Sequence, residues 1–184
     1  MLDALRRECL SCTKCGLCET RTKVVFGEGD PHARVMFVGE GPGESEDRQG
    51  RPFVGRAGQL LDKFLAAVEL ERDKVYITNM VKCRPPGNRD PRPEEMASCG
   101  AYLERQISLI GPEIIVCLGR VAAGALISPD FRVTKQHGQF FQKKDYEITG
   151  TFHPAALLRN PAQKPDAFED FLALKARLEG GRRE

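Results

Sequence analysis

The sequence contains no apolar stretch approaching the ~20 residues that a membrane-spanning helix needs. Its first residues, MLDALRREC, lack the apolar core of a secretion signal. The net charge is only +2 at pH 7, which neither requires nor excludes a nucleic-acid partner. Internal repeats and low-complexity tracts are also missing. These absences predict a protein of the cytoplasm or the nucleoid with no membrane-bound part.

The composition is that of a globular protein, with 41% apolar and 29% charged residues among 184. This length is enough for one sizeable core, so we expect a single domain over residues 1–184. Two local segments, 82–92 and 131–144, are rich in Lys and Arg. Either segment could follow a phosphate backbone or could simply be solvated surface.

Short apolar runs alternate with helical patterns along the chain. We predict strands at 34–40, 75–80, 113–119 and 146–154, and helices at 57–68, 93–110, 119–127 and 166–179. Such alternation is typical of a parallel sheet that is covered on both faces. The predicted fold is therefore α/β: a three-layer α/β/α domain with a central, mainly parallel four-stranded sheet. A cysteine-bearing N-terminal segment, residues 9–18, would pack on it.

Ligands of such sheets bind beyond the carboxyl ends of the strands. The first predicted strand runs into GEGPGE, the second ends at Asn79, and the fourth runs into His153. We therefore expect these three chain segments to meet in one crevice.

Seven cysteines in a chain without a signal sequence favour metal or redox chemistry over disulfides. Cys12 and Cys15 form a C-x-x-C pair, and we group them with Cys83 and Cys99 because these two would fasten a Pro-rich loop to the N-terminal segment. Four thiolates suit either Zn²⁺ or an iron–sulfur cluster, and free structural thiols are the simpler alternative. Cys117 is predicted to lie in the core, and the roles of Cys9 and Cys18 stay ambiguous.

The segment GEGPGESEDRQGRPFVGRAG, residues 39–58, superficially matches a dinucleotide-binding fingerprint. Glu44 occupies the third glycine position, the next helix is predicted to begin only near Ala57, and no acid ends the second strand. A nucleotide-cofactor oxidoreductase is therefore disfavoured.

The same segment has features that suit a planar base. Gly41 and Gly43 allow the main chain to approach a ligand closely. Phe53 offers an aromatic face for stacking, and Asn79 presents a donor and an acceptor side by side. His153 would donate a hydrogen bond to developing negative charge. Each residue taken singly is more often structural, and only their convergence favours a site.

Three long motifs, GEGPGESEDRQGRPFVGRAG, ITNMVKCRPPGNRDPRPEE and HPAALLRNP, together resemble the iron–sulfur (family 4) uracil-DNA glycosylases over about residues 9–178. The resemblance implies a base-excision-repair hydrolase that releases uracil from single- or double-stranded DNA and leaves an abasic site. It also implies a structural 4Fe–4S cluster on Cys12, Cys15, Cys83 and Cys99, and we expect a monomer.

The resemblance further implies roles for individual side chains. Glu40 would stabilise the sugar cation and position water, while His153 would stabilise the uracil anion. Gly41 stands where common cellular uracil glycosylases carry an aspartate, so the water-activating group is not directly inherited. Glu46 would lie near uracil C5, where it would exclude the methyl group of thymine.

HPAALLRNP would form a loop that enters the minor groove. Leu157 or Leu158 would wedge into the base stack, and Arg159 would contact phosphate.

Three alternatives are distinguishable by sequence or by assay. A covalently acting relative carries an inserted basic loop that is missing from RQGRPFVGRAG, and family 5 relatives lack the acidic residue that Glu40 supplies. A catalytically inactive, metal-stapled DNA-binding module would bind DNA in a salt-dependent way yet leave uracil in place.

Overall fold

The computed structural model describes residues 1–181 of the chain. A sheet of six strands forms its centre, in the order β1-β3-β2-β4-β6-β5. The strands are β1 (Glu28–Gly29), β2 (Val35–Gly39), β3 (Tyr76–Asn79), β4 (Ile114–Leu118), β5 (Phe140–Gln142) and β6 (Glu147–Thr151). The middle four pair in parallel, and β1 and β5 add antiparallel edges.

Nine α-helices are described within residues 1–181. They are α1 (Leu2–Leu10), α2 (Leu17–Thr20), α3 (Glu44–Gln49), α4 (Arg56–Ala67), α5 (Pro93–Ile110), α6 (Arg120–Leu126), α7 (Val133–Gln136), α8 (Pro154–Arg159) and α9 (Lys164–Gly180). Short 3₁₀ turns occupy Arg72–Lys74, Pro86–Asn88 and Pro161–Gln163. No helix among the described residues combines the length and apolar character needed to cross a membrane.

Both faces of the sheet are covered, which explains the uninterrupted apolar strands. On one face Phe37 stacks with Phe171 of α9 at 5.9 Å between ring centroids, and Phe64 of α4 joins them. On the other face, the neighbouring Met36 packs with Leu103 of α5. Because successive strand residues point to opposite faces, one strand serves two cores.

The N-terminal segment packs through a third apolar cluster. Leu5 and Leu17 lie against Val81 and against Tyr102 of α5. Asp47 of α3 accepts hydrogen bonds from the backbone N–H groups of Thr22 and Lys23, at 2.8 and 3.3 Å. The segment that bears four of the seven cysteines is therefore joined both to α5 and to the first motif.

The predicted α/β class and the three layers are confirmed, with one correction: the sheet has six strands, not four. The short edge strands β1 and β5 were missed because two or three residues of mixed polarity give no clear period. Helix α3 also begins at Glu44, well before the helix start predicted near Ala57, because the acids of ESED suit a helix N-terminus.

Candidate active site

A crevice of about 530 Å³ opens at the carboxyl ends of β2, β3 and β6. Its lining contains the side chains that the sequence singled out at three strand ends: Glu40, Glu46, Phe53, Asn79, His153 and Arg159. Gly41 and Gly43 contribute the backbone wall of the same crevice. The chain thus brings together groups that are more than a hundred residues apart.

Asn79 ends β3 and is buried, yet its Oδ1 has no hydrogen-bond partner among the described residues. An unsatisfied buried acceptor costs free energy, and native proteins contain few such groups. The main chain at Asn79 is well held, because the ammonium group of Lys82 donates to the Asn79 carbonyl at 2.8 Å. The side chain of Asn79 lines the crevice, and its acceptor is not used by any of the described residues.

Phe53 has a left-handed backbone conformation with φ of 48°, which is uncommon for a bulky residue. Glu46 holds the adjoining turn, since its Oε1 accepts from the N–H groups of Val54 and Gly55 at 3.0 and 2.9 Å. Gly58 packs directly against Phe53, and a Cβ there would lie 1.9 Å from the Phe53 carbonyl oxygen. The ring is thereby positioned by its neighbours rather than by its own backbone preference.

Gly39, at the end of β2, brings the main chain close to the side chains of Asn79 and Phe53. A Cβ at this position would lie 2.5 Å from Asn79 Oδ1 and 2.6 Å from Phe53 Cζ. At Gly41, a Cβ would lie 2.8 Å from Val81 Cγ2. Residues with side chains at these positions would push into the crevice wall.

His153 is the N-cap of α8, and its Nδ1 accepts a hydrogen bond from the Ala155 N–H at 3.0 Å. This bond places the ring proton on Nε2, which is then a donor. Burial, assisted by the positive charge of Arg159, lowers the pKa of His153 to about 4. The imidazole is therefore neutral at physiological pH. Its ring lies 5.6 Å from that of Phe53 between centroids.

Glu40 follows β2 and is half-buried in the crevice. Burial and the neighbouring carboxyl group of Asp90 raise the pKa of Glu40 to about 7, although Arg120 and Arg159 act in the opposite direction. A carboxylate poised near neutral pH suits a general base.

The HPAALLRNP segment differs from the predicted loop, since residues 154–159 form helix α8. Pro154 starts the helix, where its missing N–H is harmless. Leu157 is fully buried in the main core, so its predicted role as a DNA wedge is corrected. Leu158 is half-buried, and Arg159 is exposed beside the crevice.

The cysteine set lies apart from the crevice. Cys12, Cys15, Cys83 and Cys99 line one small cavity, together with Cys9 and Cys18. Arg21 donates to the Cys83 sulfur at 3.3 Å, and the Lys82 N–H approaches the Cys99 sulfur at the same distance. As the chain stands, no three His, Cys, Asp or Glu side chains within residues 1–181 are grouped to hold a metal ion. Cys117 is buried in the core, as predicted.

Comparison with known proteins decides the family. The family model described as "Uracil DNA glycosylase superfamily" matches residues 26–174. The chain is 46% identical to the "Type-4 uracil-DNA glycosylase" of Sulfurisphaera tokodaii over 95% of this chain and 83% of that protein. The proteins of the same name from Archaeoglobus fulgidus and Thermotoga maritima are also 46% identical, over 92% and 87% of this chain and 89% and 84% of theirs.

The chain belongs to the uracil-DNA glycosylase superfamily.

Within this superfamily, the resemblance to the type-4 enzymes inferred from the three motifs is confirmed. Similarity to a "Type-5 uracil-DNA glycosylase" of Thermus thermophilus is lower, at 35% identity over 70% of this chain and 65% of that protein.

The structure gives roles to three residues that the sequence pattern does not reveal. Lys82 lines the cysteine cavity and not the crevice, and it is buried and also donates to Thr78 Oγ1 and Gln106 Oε1, both at 2.6 Å. Asp90 and Arg120 line the crevice and pair with each other. The only signal for Asp90 was a single acid in an otherwise basic segment.

Proposed function

We propose that the chain is a monofunctional uracil-DNA glycosylase of base excision repair, which hydrolyses the N-glycosidic bond of a flipped-out deoxyuridine. The observation that carries the proposal is the buried Asn79 Oδ1, which has no partner in the described part of the chain, in a crevice shared with Phe53, His153 and Glu40. The names of the type-4 relatives support the same activity.

Uracil must leave the base stack before a side chain reaches its glycosidic bond. In the crevice the base would stack on Phe53 and turn its N3–H toward Asn79 Oδ1. Cytosine presents an acceptor at N3, so the Asn79 acceptor would stay unsatisfied. Sites that leave buried polar groups unpaired discriminate by ~10⁴ or more in favourable cases.

Thymine differs from uracil by a methyl group on C5, and Glu46 would exclude it at that position of the ring. Glu46 lines the crevice and is held by its bonds to the turn at Val54 and Gly55. We place Glu46 beside uracil C5, where a methyl group would meet it. Its hydrogen bonds to this turn also support the neighbouring Phe53. The Glu46 carboxylate would therefore both position the ring on which uracil stacks and select uracil over thymine.

Cleavage leaves a uracil anion whose charge develops on O2. The neutral His153 would donate from Nε2 to that oxygen, and the Ala155 N–H keeps the proton on the correct nitrogen. A single preorganised donor of this kind typically contributes ~10²–10³ in rate.

The sugar becomes oxocarbenium-like as the base departs. Ionised Glu40 would stabilise this cation and position the attacking water, as carboxylates do in sugar hydrolases. The backbone of Gly41, next to Glu40, would contact the uracil base.

Contacts with DNA would come from the crevice rim. Leu158 is the surface member of the leucine pair and would wedge into the vacated stack, while Arg159 would contact a phosphate. The enzyme would act as a single domain and as a monomer on nucleoid DNA in the cytoplasm.

We further propose a 4Fe–4S cluster on Cys12, Cys15, Cys83 and Cys99. The donor set supports it, because clusters are held by four cysteine thiolates and tuned by hydrogen bonds to sulfur, such as those from Arg21 and the Lys82 N–H. When bound, the cluster would tie α5 and the Pro-rich loop to the N-terminal segment. The visible spectrum of anaerobically purified protein tests the proposal, and a colourless, zinc-loaded protein would contradict it.

The activity is tested with oligonucleotides that contain one uracil, single-stranded and paired with guanine. We expect free uracil and an alkali-sensitive abasic site from both, without added metal ion or nucleotide. Salt-dependent binding with uracil left in place would instead support the inactive DNA-binding module.

A further inference from the structure

Asp90 belongs to the Pro-rich loop between β3 and α5, whose main chain is firmly held. The neighbouring Arg89 donates to the Asp90 carbonyl at 3.0 Å. Arg89 also forms a bidentate ion pair with the buried Glu95, at 2.7 and 2.9 Å. Because bidentate pairs fix direction as well as distance, the backbone at Asp90 has little freedom.

The Asp90 side chain faces the crevice between two charged groups. Its Oδ2 accepts from Arg120 Nη2 at 2.5 Å. On the other side lies Glu40, which lines the same crevice, and the nearby carboxyl group of Asp90 helps to raise the pKa of Glu40. Gly119, with φ of 94°, lets the chain turn into α6 so that Arg120 reaches Asp90.

We propose that Asp90 is a positioning residue for Glu40, which it holds through a carboxyl–carboxyl hydrogen bond at the crevice while Arg120 holds Asp90. The inference rests on the proposed function, in which ionised Glu40 faces the sugar. Asp90 would act through Glu40 and would not itself touch the reacting atoms.

A carboxyl–carboxyl hydrogen bond needs a proton on one of the two groups, so the proposed bond favours the protonated form of Glu40. The charges that face Glu40 are known: Asp90 opposes its ionisation, and Arg120 and Arg159 favour it. Glu46, Arg89 and His153 also line the crevice. Since the pKa of His153 is lowered to about 4 and that of Glu40 is raised to about 7, an acid limb of the rate profile near pH 7 belongs to Glu40.

The test is the pH dependence of kcat/KM for uracil release between pH 5 and 9, which reports groups of the free enzyme. Asp90→Asn removes the negative charge and gives Glu40 an amide donor, so the acid limb should move to lower pH by about one unit, a tenfold relative gain on that limb. Arg120→Gln removes a favourable cation and should move the limb to higher pH. Glu94→Gln, on the exposed first turn of α5, is the matched control and should leave the limb in place.

Coincident acid limbs for the wild type and Asp90→Asn would overturn the proposal. A second measurement, the ¹³C titration of the Glu40 carboxyl in DNA-free protein, assigned with Glu40→Gln, should show the same shifts. If the wild type releases no uracil, the proposed function has failed, and the NMR titration still decides whether Asp90 governs Glu40. An unshifted Glu40 titration in Asp90→Asn would then refute the inference by itself.

Discussion

Replacing Asn79 by leucine should make the protein more stable and at the same time abolish its preference for uracil. The Asn79 acceptor is buried and has no partner among residues 1–181, so we expect it to lower stability until a ligand pairs with it. Leucine has a similar size and no acceptor. It would also lie against Phe53, whose ring is next to the amide across Gly39.

The change in the free energy of unfolding follows from the hydrogen bond that Asn79 Oδ1 lacks. Leaving a buried polar group unsatisfied costs about 1–3 kcal/mol, so Asn79→Leu should raise the free energy of unfolding by part of that amount. Thr78→Val is the matched control one residue away. It removes a hydroxyl that donates to Phe26 at 2.9 Å and accepts from Lys82, so it should lower stability by about 1–3 kcal/mol.

Urea unfolding of the three proteins, under conditions that keep any cluster intact, gives the stabilities. Free uracil should raise the stability of the wild type with the logarithm of its concentration once that concentration exceeds Kd, and should not affect Asn79→Leu. An Asn79→Leu protein that is less stable than the wild type and still protected by uracil would refute the reasoning.

Three further predictions concern the catalytic and cysteine residues. His153→Ala should lower kcat for uracil release by ~10²–10³ with little change in KM, because its donor acts on charge that develops in the transition state; single-turnover kinetics with an unchanged rate would contradict this. The wild type should lose stability as pH rises from about 4.5 to 7, because burial raises the pKa of Glu40 to about 7 and ionisation is easier in the unfolded chain. Glu40→Gln should lack that loss, and parallel urea-midpoint profiles for the two proteins would count against the raised pKa. Cys83→Ser should remove the visible absorbance of the purified protein and lower its unfolding midpoint, because it removes one proposed cluster ligand. Cys117→Ser, the control, should keep the visible absorbance of the wild type.

Much of the fold follows from periodicity. Three of the parallel strands and the helix Pro93–Ile110 were predicted to within one residue at each end, because buried β-branched runs and a proline at a helix start give strong local signals. The fourth strand was predicted too long, since β6 ends at Thr151. Helix α8 was missed because HPAALLRNP is short and bounded by prolines, which are as common in loops. Its helical turn is what puts Leu157 in the core and leaves Leu158 outside.

The site was predictable only where a residue sits at a strand end. The positions of Asn79 and His153 can be predicted because Asn79 ends a recognisable buried strand and His153 closely follows another. Lys82 gives no such signal, since a buried lysine depends on acceptors that the fold brings together, here Thr78 and Asn79 of β3 and Gln106 of α5. The same is true of Asp90, which shares the crevice with Glu40 and pairs with Arg120 at the start of α6.

The most direct test of the account is the structure of the protein with uracil bound. The base should lie in the crevice with its ring on Phe53, its N3 within hydrogen-bonding distance of Asn79 Oδ1, and its O2 facing His153 Nε2. Uracil bound elsewhere, or bound in the crevice with Asn79 Oδ1 still unpartnered, would contradict it.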